Sequence, residues 1–428
     1  MPDIIIKNGY ILNDTKQKDI VIENGIISEI VDKSLKSADT VIDAKGCRIL
    51  PGLVNTHTHA AMSLFRGYAD DLHLKEWLEN YMWPIESHLT EKDVYAGTNL
   101  AILEMIKTGT TCFSDMYFNM DSTAKAVEES GIRAALSYGM IELWDKSKGD
   151  SELKSGTQFI NKWDGKANGR ITCFYGPHAP NTCSKEFLSK VKDEAIKNDK
   201  GIHIHVLETE SELNQMKEMH GKCSINMLDE IGFFEPTVIA AHCVWISDGD
   251  IKILKQNEVT VSHNPISNMK LASGISPIPK LLENGVNVSI GTDGCASNNN
   301  LNMFEEMKFA ALLHKVNSMN STVLPAKTVF DMATINGANA LSVNSGKIKI
   351  GANADIILID MKKPNLTPMY DIYSHAVYSA NGSEVKTTIV DGKVLMDDYK
   401  VLCMDEYSVM EDAIKVSERL VSSVSVEK

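Results

Sequence analysis

The sequence lacks an excess of basic residues, a secretory leader and any long apolar run. Its 428 residues carry 43 Lys and Arg against 57 Asp and Glu, a formal net charge of −14, which excludes a generally basic nucleic-acid-binding protein. The N-terminal stretch has no basic segment followed by an apolar core, and no apolar run approaches the ~18 residues of a membrane span. We therefore expect a cytoplasmic protein without a membrane or nucleic-acid partner.

Cysteine spacing typical of disulfide frameworks or thiolate metal sites is also absent. The eight cysteines are scattered without a CxxC pair and indicate reduced core thiols, at positions 47, 112, 173, 183, 223, 243, 295 and 403. Hydrophobic residues make up 43% and charged residues 23% of the chain. This mixture predicts a chain with a large core and excludes a disordered one.

The two ends of the chain share a β-rich pattern. Near the N-terminus, β-branched runs such as DIIIKNGYIL and DIVIENGIISEIV alternate with Asn-Gly and Lys-Gly turns, as in small antiparallel strands. The same pattern returns in SGKIKIGANADIILID and EVKTTIVDGKVLMDD. We expect one small β-sandwich domain built from residues 1–51 and 346–428, with an amphipathic closing helix.

The middle of the chain changes period and predicts a catalytic barrel. Across residues 52–345, short apolar runs alternate with segments whose apolar residues recur at helical spacing. Eight strand candidates separated by helices are typical of a (β/α)8 TIM barrel. They are ILPGLVNTHTH, TTCFSDM, RAALSYGM, ITCFYGPH, GIHIHVLE, TVIAAHC, VTVSHNP and VNVSIGTDG.

Histidines and acids stand at the C-terminal ends of these runs. A barrel places all of its strand ends around one mouth, so side chains far apart in sequence should converge there. They are His57, His59, Asp115, His178, His205, Glu208, His242, His263 and Asp293. The sequence therefore predicts a functional site at the mouth of the barrel.

A metal site is expected among these side chains. His57 and His59 are two residues apart on a strand, so they project from one face and can bind one ion. His205 is expected as the third imidazole, with His203 behind it, and Asp293 as a carboxylate ligand. This set suits zinc or ferrous iron with one position open to water. We expect one divalent ion per subunit.

Two further residues carry candidate catalytic roles. Glu208 stands at a strand-to-loop transition near the expected metal, where a proton shuttle must lie, although Glu210 and Glu212 follow it as in a solvated loop. His242 lies in the apolar run TVIAAHC, and a buried histidine needs a partner. In isolation it would be a satisfied core histidine, but the neighbouring donors favour a role beside the reacting water.

The remaining candidates are open to structural interpretations as well. Glu86 in NYMWPIESHL and His178 in FYGPHAP stand beside prolines, as in either a binding loop or an ordinary turn. Trp83 can stack on a planar ligand or pack in the core. His263 and Asp115 have no assigned role, and Asp115 is equally consistent with a structural acid.

The motifs, taken in order, resemble the mononuclear aminohydrolase branch of the amidohydrolase superfamily. They run from PGLVNTHTH through GPHAP, HVLE, AAHC, SHNPISNMKL and GTDGCASNN to GKIKIGANADIILID, nearly the whole chain. Within that branch, NYMWPIE and the SHNP and GTDG segments resemble the 5-methylthioadenosine/S-adenosylhomocysteine deaminases. A series of motifs in this order is highly specific.

The resemblance implies a role for each matching position. It maps His57, His59, His205 and Asp293 onto metal ligands, His242 onto the histidine beside the hydrolytic water, and Glu86, His178 and Glu208 onto substrate contacts. It also implies zinc, with iron in related deaminases, and a homo-oligomer. Trp83, Tyr138 and Asp293 complete the expected substrate-binding set.

One departure from the family concerns the 5' end of the substrate. Members that accept S-adenosylhomocysteine can have arginines at the end of the third strand and in the following loop, where they meet the amino-acid carboxylate. Here Tyr138 aligns with the strand-end arginine, and the loop has Lys146, Lys148 and Lys154 but no Arg. A lysine lacks the planar fork that holds a carboxylate.

The expected activity is hydrolytic deamination of a 5'-substituted adenosine, such as adenosine, 5'-deoxyadenosine, 5'-methylthioadenosine or S-adenosylhomocysteine, to the inosine analogue and ammonia. Asp293 and His242 would take or orient the water proton, while Glu208 would protonate the purine ring. One alternative is a deaminase or chlorohydrolase of guanine, cytosine or a triazine. Another is a catalytically dead barrel that acts as a binding scaffold.

Overall fold

Five short strands open the chain, and the computed structural model describes residues 3–72 and 74–426. The loop between the second and third strands contains only Asn24 and Gly25, both with positive φ, the backbone geometry that Asn-Gly provides in a type I′ hairpin. The five strands are β1 (Ile4–Ile11), β2 (Gln17–Glu23), β3 (Ile26–Val31), β4 (Thr40–Asp43) and β5 (Cys47–Pro51).

The next eight strands form a parallel barrel in sequence order. They are β6 (Leu53–Thr58), β7 (Thr110–Tyr117), β8 (Arg133–Met140), β9 (Ile171–Pro177), β10 (Ile202–Val206), β11 (Val238–His242), β12 (Thr260–His263) and β13 (Asn287–Ile290). The first and last strands approach through a 2.8 Å contact between the hydroxyls of Thr56 and Ser289 and a bond from Asp293 N to the His57 carbonyl. The expected (β/α)8 architecture is confirmed.

The chain passes from the first sheet into the barrel at Gly52. The run ILPGLVNTHTH is therefore two strands, β5 and β6, separated by this single residue. Gly52 N donates to the carbonyl of Asp355 at 3.0 Å, and a Cβ at this position would lie 2.1 Å from Thr111 Oγ1. Only glycine permits the chain between β5 and β6 to pass so close to Thr111 of β7.

The last four strands complete the sheet that the first five begin. They are β14 (Ile356–Asp360), β15 (Val385–Val390), β16 (Lys393–Asp397) and β17 (Lys400–Val401). The order is β17-β16-β15-β14-β5-β1-β2-β3, with β4 also paired to β1. Apolar side chains from both ends share one core, which includes Ile6, Ile20, Ile49, Ile356 and Ile389. The β-domain built from both chain ends is thus present.

Helices surround the barrel, and among the described residues none is both long and apolar enough to cross a membrane. Short 3₁₀ segments span Ala60–Phe65 and Pro364–Leu366, and π-helical turns span Leu78–Met82 and His375–Ser379. The α-helices are α1 (Leu74–Trp77), α2 (Trp83–Glu86), α3 (Glu91–Lys107), α4 (Met120–Ser130), α5 (Lys146–Trp163), α6 (Lys166–Gly169), α7 (Lys185–Lys197), α8 (Glu210–His220), α9 (Ser224–Glu230), α10 (Asp248–Gln256), α11 (Pro265–Lys270), α12 (Ile278–Glu283), α13 (Cys295–Asn298), α14 (Met303–Asn317), α15 (Ala326–Met332), α16 (Ile335–Ala340), α17 (Ile372–Ser374) and α18 (Glu406–Val426).

The closing helix α18 packs on the barrel. Arg419 pairs with Asp93 of α3 at 2.6 Å, and the Ser417 hydroxyl donates to the Leu64 carbonyl at 2.9 Å. Leu64 belongs to the 3₁₀ segment that follows the first barrel strand. The C-terminal helix therefore supports the loop at the start of the mouth.

A buried ion pair joins the barrel to the mixed sheet. Arg133, at the start of β8, donates from Nε to Asp355 Oδ2 at 2.9 Å and from Nη2 to Asp391 Oδ1 at 3.0 Å. The side chain of Arg133 is 5% exposed and that of Asp355 is fully buried. Burial alone would lower the pKa of the Arg133 guanidinium, but the attraction of Asp355 is stronger and raises it. Removal of Arg133 would leave the buried Asp355 without its ionic partner.

Replacing Arg133 with leucine is expected to lower the free energy of unfolding by about 3–5 kcal/mol, because the buried Asp355 loses its ionic partner. Urea denaturation followed by circular dichroism measures the change. Lys162→Met is the control, since Lys162 pairs with Asp121 on an exposed surface and should change the midpoint little. Equal midpoints for the two variants would contradict the role of Arg133.

Candidate active site

The barrel strands open at their C-terminal ends onto one cavity of about 280 Å³. His57 lies at the base of this region and is fully buried. The cavity is lined by most of the residues expected from the sequence, namely His59, Trp83, Glu86, His178, His205, Glu208, His242 and Asp293. Residues separated by more than half of the chain thus meet in one place.

Three imidazoles converge at the base of the cavity. The ligand nitrogens of His57, His59 and His205 lie within 4.8 Å of one another. His205 Nε2 is 3.3 Å from His59 Nε2, and the buried His57 Nε2 has no hydrogen-bond partner among the described residues. Burial lowers the pKa of His57 to about 4, so its ring is neutral and can offer a lone pair.

Backbone carbonyls orient two of these rings. His59 Nδ1 lies 2.6 Å from the Met116 carbonyl, and His205 Nδ1 lies 2.7 Å from the His178 carbonyl. Because a carbonyl can only accept a hydrogen bond, both Nδ1 atoms carry a proton and both Nε2 atoms face the cavity. This is the arrangement that metal-binding histidines adopt.

A buried histidine supports the third ring from behind. His57 Nδ1 lies 2.9 Å from His203 Nε2, and His203 Nδ1 lies 3.2 Å from the Ser114 hydroxyl. His203 is fully buried and lies outside the cavity wall. The structure therefore places His205 at the cavity and His203 behind it, as the sequence led us to expect.

Asp293 brings a negative charge to the imidazoles. Its Oδ1 lies 3.4 Å from His57 Nε2 and 3.3 Å from His59 Nε2, while its Oδ2 accepts bonds from Ser267 at 2.6 Å and Ser297 at 2.9 Å. Burial alone would raise the pKa of Asp293, but the neighbouring His57 and His59 rings outweigh burial and hold it well below its ordinary value. The carboxylate is therefore charged.

Three imidazoles and one carboxylate, with a buried nitrogen of His57 that has no hydrogen-bond partner among the described residues, fit a divalent metal ion. The donor atoms are those that zinc and ferrous iron prefer. The cluster thus has the composition expected for a divalent ion.

Glu208 reaches toward the same centre from the end of β10. Its Oε1 accepts a bond from Ser273 at 3.2 Å, and its Oε2 lies 3.9 Å from His242 Nε2. Burial raises its pKa, which favours a carboxyl group that can hold a proton. The side chain is therefore placed for proton transfer within the cavity.

Glu212 holds the backbone that carries Glu208. Its carboxylate accepts bonds from Leu207 N at 2.9 Å and Glu208 N at 2.8 Å, and the residue is only 6% exposed. Burial raises its pKa to about 7. The close succession of Glu208, Glu210 and Glu212 predicted a solvated loop, which is wrong for the buried Glu212. The Thr209-x-x-Glu212 spacing, typical of a helix start, is the signal that could have identified it.

Three strand-end residues of the site adopt left-handed backbone angles. Leu207 has φ of 49°, His242 of 71° and Asp293 of 62°. Such angles cost of order 1–3 kcal/mol each in residues other than glycine and persist only where the surroundings enforce them. The backbone strain coincides with the positions from which Glu208, His242 and Asp293 are presented.

Side chains around the upper cavity supply polar and aromatic contacts. Glu86 accepts a bond from the Tyr117 hydroxyl at 2.6 Å, and His178 Nδ1 lies 2.8 Å from the Thr182 hydroxyl. Burial raises the pKa of Glu86 and lowers that of His178 to about 4. Trp83 lines the wall with 53% of its surface exposed. These groups suit a planar, hydroxylated ligand.

Tyr138 does not line this cavity, contrary to the expected substrate contact. Side chains alternate along β8, so Gly139 faces the cavity, while Tyr138 points outward and interacts with Ser155 and Glu152 of α5. An ungapped sequence alignment cannot determine on which face of the strand a residue lies.

Two residues without an assigned role also lie outside the cavity wall. His263 Nε2 lies 3.1 Å from His314 Nε2 on α14. Asp115 Oδ1 accepts a bond from Ala60 N at 2.7 Å, directly after His59. Burial raises the pKa of Asp115 to about 7. Asp115 thus anchors the turn that follows the first strand, as a structural acid would.

Comparison with known proteins places these observations in context. The model described as "Amidohydrolase family" matches residues 48–395. A 5'-deoxyadenosine deaminase of Methanosarcina acetivorans is 63% identical over 428 residues, which cover 99% of each chain. A 5-methylthioadenosine/S-adenosylhomocysteine deaminase of Thermococcus sibiricus is 54% identical over 92% of this chain and 94% of its own.

A solved structure is similar over nearly the whole fold. It is an adenosine deaminase from Xanthomonas campestris with bound zinc, with a TM-score of 0.94 and 31% identity. The match covers 98% of this chain and 99% of that chain.

Glu212→Gln is expected to lower kcat on the order of 100-fold, since small displacements of a reacting group have effects of this size. A glutamine oxygen cannot bind both Leu207 N and Glu208 N as the carboxylate does, so Glu208 should shift. Steady-state kinetics and metal content measure the effect. Glu218→Gln, an exposed position on the same helix, is the control, and equal rates for both variants would contradict the prediction.

Proposed function

This chain belongs to the amidohydrolase family, and from that premise we propose that it is a metal-dependent deaminase of 5'-substituted adenosines. It hydrolyses the exocyclic amino group and releases the inosine analogue and ammonia. The observation that carries the proposal is the opening of Glu208, His242 and the His/Asp cluster onto one cavity. Relatives with high identity over nearly the full length are deaminases of such nucleosides.

We propose zinc as the ion, held by His57, His59, His205 and Asp293. The zinc in the similar structure supports this choice, and ferrous iron is the alternative for the same donor set. When bound, the ion acts as a Lewis acid that makes water nucleophilic near neutral pH.

Glu208, His242 and Asp293 carry out or assist the proton transfers of the reaction. Glu208 delivers a proton to the ring nitrogen adjacent to the amino-bearing carbon as the water oxygen adds to that carbon. Asp293 and His242 orient the attacking water or accept its proton. Return of a proton to the amino group then releases ammonia.

We propose that Glu86 binds the ribose hydroxyls and that His178 and Trp83 contact the nucleoside. Glu86 keeps an acceptor oxygen available beyond its bond from Tyr117. The described part of the cavity wall contains no lysine or arginine. A small, neutral 5' group is therefore favoured over the carboxylate of homocysteine.

We further propose that the enzyme is a homo-oligomer, as its family resemblance implies, and that it is cytoplasmic. All eight cysteines are free thiols, which is consistent with a reducing compartment.

The zinc-loaded protein is expected to convert 5'-deoxyadenosine to 5'-deoxyinosine, measured by the adenine-to-hypoxanthine absorbance change and by ammonia release. Adenosine, 5'-methylthioadenosine and S-adenosylhomocysteine complete the panel, with guanine, cytosine and a chlorotriazine as alternatives. Glu208→Gln should lower kcat at least 100-fold while retaining the metal, because an amide cannot shuttle a proton.

Glu210→Gln, two residues away and exposed, is the matched control. Failure to deaminate any adenosine derivative would overturn the proposed function. Substoichiometric metal after reconstitution would favour a binding scaffold instead.

The catalytic efficiency toward 5'-deoxyadenosine is expected to exceed that toward S-adenosylhomocysteine. Ile141 lines the cavity at the end of the third barrel strand. Ile141→Arg should raise the S-adenosylhomocysteine to 5'-deoxyadenosine ratio of kcat/KM about tenfold, since a charge-assisted bond contributes about 1.5 kcal/mol. Ile141→Met is the control of similar volume. An unchanged ratio in the arginine variant would contradict a 5' subsite near Ile141.

A further inference from the structure

A buried amide contacts the rear of the His242 ring. Asn268 Nδ2 lies 3.0 Å from His242 Nδ1, and the two residues are 2% and 1% exposed. His242 ends β11, whereas Asn268 belongs to α11, which follows β12. The contact therefore joins two neighbouring elements at the mouth of the barrel.

The hydrogen-bond environment decides which amide atom faces the ring. Asn268 Oδ1 is buried and has no partner among the described residues. Reversing the amide would instead leave an NH₂ group at that position, and buried N–H groups without an acceptor are rarer than unpaired carbonyl oxygens. The amide nitrogen thus donates, and His242 Nδ1 accepts.

We infer that Asn268 is a positioning residue that holds His242 in the tautomer with its proton on Nε2. This inference rests on the proposed deaminase function for its catalytic meaning. Nε2 faces the cavity, 3.9 Å from Glu208 Oε2. In this tautomer, His242 donates a hydrogen bond to the attacking water and does not take its proton.

The proton of the attacking water therefore goes to a carboxylate. The water oxygen forms its bond to the amino-bearing carbon, and one water proton passes to Glu208 and onward to the purine ring nitrogen. A proton subsequently reaches the amino group, which leaves as ammonia when its bond to carbon breaks. His242 keeps its own proton throughout.

The same helix also orients Asp293. Ser267 precedes Asn268 on α11 and donates to Asp293 Oδ2, as does Ser297. Asp293 Oδ1 is directed toward the imidazoles. Adjacent residues of α11 thus orient the carboxylate, through Ser267, and the His242 ring, through Asn268.

Two substitutions of Asn268 separate this role from simple packing. Asn268→Asp preserves the shape, but its carboxylate only accepts, so the proton of His242 should move to Nδ1. Asn268→Leu preserves the volume approximately and removes the contact. If Asn268 only fills space, the aspartate variant should be the more active of the two. If it sets the tautomer, the aspartate variant should be the less active.

The direct readout is ¹⁵N NMR of histidine-labelled protein, metal-free and zinc-loaded, with His242→Gln used to assign the signal. The wild type should show a proton on Nε2 and none on Nδ1, and Asn268→Asp should show a proton on Nδ1. Because the spectra require no turnover, they test the inference even if the proposed activity fails. An Nδ1-protonated ring in the wild type would overturn it.

Kinetics on 5'-deoxyadenosine provide the second readout. Asn268→Leu should lower kcat about 10- to 100-fold, the range for partners behind a site histidine, with KM changed less than about threefold and metal retained. The kcat of Asn268→Asp should be lower still. Wild-type kcat in Asn268→Asp would overturn the inference, and if that variant does not fold, the wild-type spectrum and Asn268→Leu still decide it.

Discussion

Buried imidazoles packed around a single carboxylate form the interaction on which the rest of this structure depends. The ring centroid of His57 lies 4.9 Å from that of His205 and 5.2 Å from that of His242, and Asp293 lies between the ring nitrogens. Polar nitrogens buried without a partner are unfavourable. Carbonyls, hydroxyls and amides on neighbouring elements form hydrogen bonds with the ring nitrogens that face away from the cavity, so that the other ring nitrogens point toward one position. A cation bound at that position would offset the unfavourable burial of these nitrogens.

The barrel makes this cluster feasible because each parallel strand needs to contribute only one or two side chains. Backbone strain is also divided among the strands, since Leu207, His242 and Asp293 each adopt an unfavourable backbone angle at a different strand end. Each of the reacting side chains has its own hydrogen-bond partners: Glu212 binds the Glu208 backbone, Ser267 and Ser297 bind Asp293, and Asn268 binds His242. The geometry of the centre is thus shared among independent supports rather than dependent on one loop.

The sequence was sufficient for the fold and for most of the side chains that line the cavity, because spacing along a strand and position at a strand end are local properties. The alternation in THTH and the repeated placement of histidines after apolar runs required no knowledge of packing. Contacts between distant elements were not readable in this way. The sequence around Glu212 is that of a solvated loop, and only the structure shows the backbone groups that it binds. No sequence pattern indicates Asn268, because its contact with His242 depends on the packing of α11 against β11. Tyr138 was predicted to line the cavity, but adjacent residues of a strand point to opposite faces, and its side chain points outward.

The mixed sheet has a consequence for the synthesis of the chain. Strand β5 pairs with β14, from Pro51 with Ile356 to Cys47 with Asp360, and Arg133 meets its buried partner only at Asp355. A nascent chain emerging from the ribosome therefore carries an exposed β5 edge while the barrel is translated, and an unneutralised Arg133 guanidinium from the third barrel strand onward. The order of translation and the order of assembly differ, and the N-terminal strands must remain free of other pairing partners until the C-terminal strands arrive.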